Sequence, residues 1–189
     1  MILIELKGQN SELVDGVYDI LTKRKRKKNV VWFGLKEGVN TMLRKKDATI
    51  SIISNANDIL RVVVLFNVGL FFLADTSTFD IFGMPVTKLD FHTFKHNFKW
   101  MPNFILSCLT YIFGGDPCPL IANKSLIEAL ESRNIPTFCL TDHDSEQRID
   151  TLMKMKPAAV VTYRPHWVRQ YMLNTVASAA VIKQEINDK

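Results

Sequence analysis

The sequence predicts an α/β fold with a parallel sheet, because short apolar runs typical of strands alternate with stretches of helical periodicity. Residues 2–6 form the first such run, and apolar residues then recur at helical spacing from Leu13 to Leu21. The same order returns near the end of the chain. Parallel strands need crossover connections of this kind, so the pattern disfavours an antiparallel sandwich. The six expected strands lie near residues 2–6, 30–33, 49–53, 84–88, 136–141 and 158–162.

Polar residues mark where the helices begin. Asn10 precedes the first helical run and is a preferred N-cap, while the cations of residues 23–28 suit the negative end of the same helix. Asn123 stands before a later helical run, and Asp144 or Ser145 stands before the next. These caps place one helix on each side of the fifth expected strand. Shorter helices are expected around residues 39–43 and 167–173.

The composition describes one globular domain with a modest positive charge. The chain has 189 residues, 47% of them hydrophobic and 23% charged, which excludes wholesale disorder, and its net charge is +5. The cysteines are an odd number without the spacing of a metal site, and this favours reduced thiols in a cytoplasmic compartment. They are Cys108, Cys118 and Cys139. No secretory signal precedes the first expected strand.

Two charged residues interrupt the first strand. Glu5 and Lys7 are two positions apart, so a strand projects both onto one face. Charges in an apolar strand are costly unless they are paired or used, so this face is either the interior of a barrel or a functional site. A plain ion pair between them is the alternative.

A long apolar run fills the middle of the chain. Residues 62–74 are interrupted only by Asn67 and Gly69, and residues 104–113 form a second run. Each is shorter than the roughly 20 residues that a membrane-spanning helix needs. Because the first run lacks a polar face, we expect a membrane-contacting or acyl-chain-binding insertion, with a buried core helix as the alternative. The residues expected to make this contact are Leu70, Phe71 and Phe72.

Histidines offer two weaker candidate sites. His92 and His96 are four residues apart, a spacing that zinc sites use, but no third ligand accompanies them. His143 lies between two aspartates at the end of the fifth expected strand, where it could orient substrate or transfer a proton. The alternative is a polar loop in which Asp144 caps the following helix.

The cations of residues 23–28 form the densest charge run in the chain. A solvated helix end explains them most simply, and attraction to anionic lipid is a second explanation. Nucleic-acid binding is the weakest, because no aromatic residues alternate with the cations to stack on bases.

Several of these pieces, in order, resemble the glycerophosphodiester phosphodiesterase family. Ile4–Lys7 is similar to the family's strand with a Glu and a Lys, Val31–Gly34 to the next strand, and residues 123–165 to the family's ending. The apolar insertion from Leu60 to Ala74, followed by Met84-Pro85, resembles the membrane-associated, lysophospholipase-D-like branch. The family fold is a TIM barrel, so the resemblance implies a partial TIM (β/α) barrel with about six of eight strands.

The same resemblance implies a domain organisation and a site. Residues 1–175 would form an incomplete barrel with an apolar insertion at about 59–115, and residues 176–189 a helix end and tail. Glu5 would be a ligand of Mg²⁺ or Ca²⁺, while Lys7 and His143 would contact the substrate. The activity implied is hydrolysis of a phosphoric diester in a lysophospholipid or glycerophosphodiester. The family's catalytic histidines and two further metal carboxylates precede this region, so we expect an N-terminally truncated, inactive chain.

The sequence also departs from the family pattern. Tyr163 replaces the Asp of a Thr-Asp-x-Pro turn, and Leu140 and His143 stand near the family's Trp and Asn. The alternative function is a non-catalytic lipid- or membrane-binding protein that uses the apolar insertion and the basic run. In both cases we expect a membrane surface as partner, no nucleic acid, and a cytoplasmic location on intracellular membranes.

Overall fold

The computed structural model describes residues 1–8, 10–34, 37–86, 95, 102–113, 120–121, 123–141 and 145–175. Strands and helices alternate along the chain, as expected. The strands are β1 (Ile2–Glu5), β2 (Val30–Phe33), β3 (Ser51–Ile52), β4 (Phe82–Pro85), β5 (Thr137–Leu140) and β6 (Ala159–Val161). The helices are α1 (Ser11–Lys23), α2 (Glu37–Lys46), α3 (Ala56–Asn67), α4 (Asn103–Phe113), α5 (Lys124–Glu131), α6 (Glu146–Met155) and α7 (165–175). Short 3-10 turns occupy Lys27–Asn29 and Phe71–Leu73.

The strands form two parallel sheets of three, in the orders β1-β2-β3 and β4-β5-β6. A parallel bridge between Ile53 and Ile81 joins them, and the Ser54 N–H donates to the Ile81 carbonyl oxygen at 2.9 Å. The α/β fold with parallel strands is therefore confirmed. Among the described strands no pairing joins β6 to β1, so a six-of-eight-stranded barrel stays a prediction.

The two faces of the sheets are buried in different ways. On one face of the sheets, side chains pack against the helices in two clusters. Trp32 belongs to the cluster with α1 and α2, and Phe82 belongs to the cluster with α3, α5 and α6. We call this helix-covered side the outer face. The opposite, inner face carries a cluster to which no described helix contributes. Its buried members are Val31, Phe33, Ile53, Ile81 and Phe138.

Local side-chain hydrogen bonds fix the helix starts. Asn10, Asn55 and Asn123 each accept a backbone N–H with the side-chain oxygen, at 2.8–3.1 Å. At α3 the Asp58 carboxylate also accepts the N–H of Asn55, which completes a capping box. Of the two residues expected to cap α6, Ser145 is the one that does so. Asp144 lies outside the described residues.

A small polar cluster ties two turns together. Lys27, in the turn from α1 to β2, donates to the Tyr18 hydroxyl at 2.5 Å and to Asp47, in the turn from α2 to β3, at 3.2 Å. The Thr49 hydroxyl and backbone N–H donate to the other Asp47 oxygen. These Thr49 hydrogen bonds, helped by Lys27, lower the pKa of Asp47 to about 2. The cluster holds Asp47 ionised and fixes both turns.

Gly83 tests the junction between the two sheets. A Cβ there would lie 2.6 Å from Cγ2 of Ile53, which is fully buried and cannot move aside. We expect Gly83→Ala to lower the free energy of unfolding by about 1–3 kcal/mol, measured by urea denaturation. The matched control is Gly16→Ala in α1, where no atom lies within 4 Å and alanine should stabilise the helix. Equal effects of the two substitutions would contradict a packed junction.

Asp47 gives the fold a defined pH dependence. Its folded pKa lies below the ordinary value of 3.8, so its contribution is complete above about pH 4 and is lost as the pH falls toward 2. We expect Asp47→Asn to reduce unfolding free energy at pH 7 by about 1–2 kcal/mol. The difference in unfolding free energy between Asp47→Asn and the unmodified chain should become smaller as the pH falls from 4 to 2. The exposed carboxylate of Glu131 supplies the control, because Glu131→Gln should change the unfolding free energy by less than about 0.5 kcal/mol.

Candidate functional site

Glu5 lies at the carboxyl end of β1, paired in register with Phe33. Its neighbours Ile4 and Leu6 pack in the outer-face cluster, whereas Leu3 packs against the inner-face cluster. Because strand side chains alternate, Glu5 lies on the inner side with Leu3, and Lys7 follows two residues later, just past the end of β1. The strand therefore positions a carboxylate and an ammonium at the edge where parallel β/α folds carry their sites.

Both charged side chains are exposed and available. Glu5 and Lys7 make no ion pair or hydrogen bond with another residue that the structure describes. The interpretation of a plain ion pair between them is therefore not supported. An exposed carboxylate at this edge can accept a ligand, and an exposed ammonium beside it can bind an anion.

A divalent metal needs more than Glu5 offers. Mg²⁺ and Ca²⁺ prefer several oxygen ligands, and Glu5 is the right chemical type. However, the described residues contain no group of three or more His, Cys, Asp or Glu that could hold a metal ion. These residues alone do not fit the cation, and Glu5 could serve only as one ligand among others.

Polar groups at neighbouring strand ends have structural roles. The Ser54 hydroxyl accepts the Gly83 N–H at 2.9 Å, and the Thr162 hydroxyl accepts the Arg164 N–H at 2.9 Å. Thr141, at the end of β5, is buried. The histidine candidates His92, His96 and His143 lie outside the described residues, so their predicted roles stay predictions.

Cys139 is excluded as a nucleophile by its surroundings. It lies on the outer face of β5, fully buried among apolar side chains. Burial raises the pKa of its thiol to about 12, so the thiol stays protonated at neutral pH. Cys139 is a core residue.

The apolar run at 62–74 is divided between core and surface. Val62 and Val63 belong to α3 and are buried in the outer-face core. Phe71 packs against the same core, whereas Leu70 is 41% and Phe72 71% exposed. The core-helix alternative therefore holds for the first half of the run. Within the described residues, no helix is long and apolar enough to cross a membrane.

Arg133 fixes the exposed half of the run. Its guanidinium donates to the carbonyl oxygens of Phe71 at 2.8 Å and Ala74 at 3.1 Å, and stacks on the Phe71 ring. Because Arg133 lies in the turn from α5 to β5, this contact places the segment at the amino-terminal edge of the strands. Glu5 lies at the opposite edge, so the structure does not bring Phe72 near the predicted phosphate contacts.

A cleft between α2 and α3 escaped the sequence reasoning. It has a volume of about 570 Å³ and lies among the helices of the outer face. Arg44 and Arg61 line it, but each is ion-paired, with Asp80 at 3.0 Å and Asp58 at 3.1 Å respectively. Its paired charges make this cleft part of the structural framework.

Comparison with known proteins supports the fold resemblance alone. No family model and no curated protein sequence matches the chain. The fold is similar to a solved structure described as a putative glycerophosphodiester phosphodiesterase from Galdieria sulphuraria, with a TM-score of 0.57 and 11% identity. The match covers 89% of this chain and 56% of that one, so the chain spans little more than half of that protein. The fold is therefore glycerophosphodiester phosphodiesterase-like.

Replacing Phe71 should destabilise the fold, whereas replacing Phe72 should not. Phe71 packs edge-on against Phe66 and under Arg133, so we expect Phe71→Ser to lower unfolding free energy by about 1.5–3 kcal/mol. Phe72→Ser removes an exposed ring and should change stability by less than about 0.5 kcal/mol. Thermal and urea unfolding of the two variants measure this. A large loss in Phe72→Ser would mean that the ring is buried in solution.

Proposed function

We propose that this chain forms part of a phosphoric diester hydrolase of the glycerophosphodiester phosphodiesterase type. Its substrate would be a glycerophosphodiester or a lysophospholipid. The proposal rests on the fold, which resembles such a protein, together with the exposed Glu5 carboxylate at the carboxyl end of β1 and the exposed Lys7 ammonium two residues later. That combination suits a cation-dependent site for a phosphate diester.

Each proposed residue has a distinct chemical task. Glu5 would be one carboxylate ligand of Mg²⁺ or Ca²⁺, which polarises a phosphoryl oxygen when bound. Lys7 would stabilise the negative charge of the phosphate through its ammonium, and His143 would contact the substrate. Because Glu5 is a single ligand, we propose that these 189 residues by themselves neither hold the cation nor hydrolyse the diester.

A membrane surface is the proposed partner, with a location on the cytoplasmic side of intracellular membranes. The exposed side chains of Leu70 and Phe72 support this proposal, because exposed apolar side chains in one loop are typical of interaction surfaces. The same observation favours the second candidate function, a lipid- or membrane-binding protein without catalysis. The two candidates differ in whether Glu5 and Lys7 matter.

Metal binding by a chimera tests the hydrolase proposal. The first two strands of a related glycerophosphodiester phosphodiesterase would be joined ahead of Met1, supplying the remaining carboxylates. We expect this chimera to bind Mg²⁺ or Ca²⁺ and the unextended chain not to. Glu5→Gln in the chimera should weaken binding by at least about tenfold, since even outer-shell partners have effects of that size. Lys7→Met should spare the metal and weaken binding of glycerophosphocholine.

Isothermal titration calorimetry gives both affinities, and choline release reports turnover. Glu12→Gln is the matched control, because it removes an exposed carboxylate in the first turn of α1. Equal cation affinity in the parent chimera, Glu5→Gln and Glu12→Gln would contradict the site and leave the lipid-binding alternative. Cation-dependent turnover by the unextended chain would show that the catalytic groups have been misplaced.

A further inference from the structure

The turns that follow α1, α2 and α3 lie together at one edge of the sheets. In a parallel β/α unit the helix runs back against its strand, so each helix ends at the amino-terminal edge of the next strand. Contacts between turns agree with this: Lys27 bonds Asp47 across two of them, and Arg133 bonds the segment after α3. We call this side the amino edge, and the side that carries Glu5 the carboxyl edge.

The amino edge presents an apolar loop that the fold holds in place. Four large side chains between residues 68 and 73 are exposed, whereas Phe71 points inward under Arg133. The two guanidinium hydrogen bonds fix the backbone of this loop, so exposure follows from its folded conformation. The exposed fractions are 59% for Val68, 41% for Leu70, 71% for Phe72 and 59% for Leu73.

Exposed cations surround the same edge. Of the six cations at 23–28, Lys27 is held by Tyr18 and Asp47, and the other five are exposed. Lys45 and Lys46 at the end of α2 are exposed as well, although Lys46 pairs with Asp15. Asp47 is engaged with Lys27 and Thr49, and Asp80 with Arg44, which leaves the exposed carboxylates of Asp75 and Glu131 against six exposed cations at residues 23–26, 28 and 45. The edge therefore keeps a surplus of positive charge.

We propose that the amino edge is the surface that docks on an anionic lipid bilayer, with the apolar loop inserted and the basic turns against the headgroups. Peripheral attachment needs two such signals together, an apolar contact and a polybasic patch. A solvated helix end explains the cations alone, and an apolar core explains neither Phe72 nor Leu73. The two signals on one edge match a membrane surface in both chemistry and charge.

The orientation on the bilayer also determines how substrate reaches the Glu5 site, an inference that rests on the proposed hydrolase function. Helix α3 has 12 residues and spans about 18 Å, which separates the loop at its end from the carboxyl edge at its start. Glu5 and Lys7 would then open toward water while the amino edge lies on the bilayer. The site would take its diester from the aqueous side, as a soluble glycerophosphodiester or a released monomer.

Vesicle sedimentation tests the docking surface with the chain as it exists. We expect binding to phosphatidylcholine vesicles that contain phosphatidylserine, and weaker binding without phosphatidylserine. Phe72→Ser with Leu73→Ser should weaken binding at least about tenfold at any salt concentration. Lys23→Gln with Arg24→Gln and Arg26→Gln should weaken binding to the anionic vesicles by about tenfold or more and reduce its salt dependence, since Lys25, Lys28 and Lys45 keep their charge.

A matched set of cations at or near the carboxyl edge provides the control. Lys124→Gln with Arg164→Gln and Arg169→Gln removes the same charge and should leave binding within about twofold. Before binding is measured, each variant is shown to have the same thermal unfolding temperature as the unmodified chain. An equal loss in the two triple variants would overturn the assignment to the amino edge.

Probe depth tests the orientation without weakening the surface. An environment-sensitive fluorophore is attached at Leu73→Cys on the amino edge or Tyr163→Cys on the carboxyl edge, with Cys108→Ser and Cys118→Ser as background. On anionic vesicles only the probe at 73 should shift to the blue and be quenched by lipid-borne quenchers. A response at 163 alone, or at both sites, overturns the orientation while membrane association stands. If the chain binds a single-stranded oligonucleotide and no vesicle, the assignment of a lipid partner is overturned. These vesicle and oligonucleotide measurements are independent of metal binding at Glu5.

Discussion

Parallel strand pairing is the constraint on which the rest of this structure depends. Every recorded pairing is parallel, including the bridge that joins the two sheets at Ile53 and Ile81. Each strand must then be followed by a return path, and the helices that provide it cover the outer face. Strand ends consequently collect at one edge and helix ends at the other. The two edges differ in chemistry because different segments of the sequence form them.

Packing at the sheet junction makes the edges continuous. Gly83 leaves room for Ile53 on the inner face, and its N–H donates to the Ser54 hydroxyl. Without a side chain at 83, the inner-face residues of β3 and β5 come into one buried cluster. This closeness places β1, with its exposed Glu5, in the same layer as the later strands. The absence of a side chain at Gly83 thus allows close packing at the junction of the two sheets.

Charges at the amino edge divide into structural and free groups. Lys27 and Arg133 satisfy partners in neighbouring turns, so they act as fixed cross-links between connections that would otherwise be independent. The other cations of the first turn have no such partner on the described chain and remain exposed. One cross-link orders the turn that carries the free cations, and the other orders the apolar loop at the same edge. A fixed pattern of charge and apolar surface is what a planar partner requires.

The sequence by itself determined the features that depend on local interactions. Apolar runs predicted the six strands, and Asn10 and Asn123 predicted helix starts, because burial pattern and capping act over a few residues. The pair Glu5 and Lys7 was found for the same reason, since both charges interrupt the first apolar run. The likeness to a phosphodiesterase fold also followed from short motifs in chain order.

Only the tertiary structure decided which apolar and charged residues are exposed. Within the apolar run at 62–74, Val63 is buried in the outer-face core and Phe72 is exposed. Among the six consecutive basic positions, Lys27 alone contacts Tyr18 and Asp47, and Asp47 is 20 residues away in the chain. Burial and pairing depend on residues that are distant in the chain, so no local pattern could assign these roles. The sequence specified the elements, and their packing specified what each edge can bind.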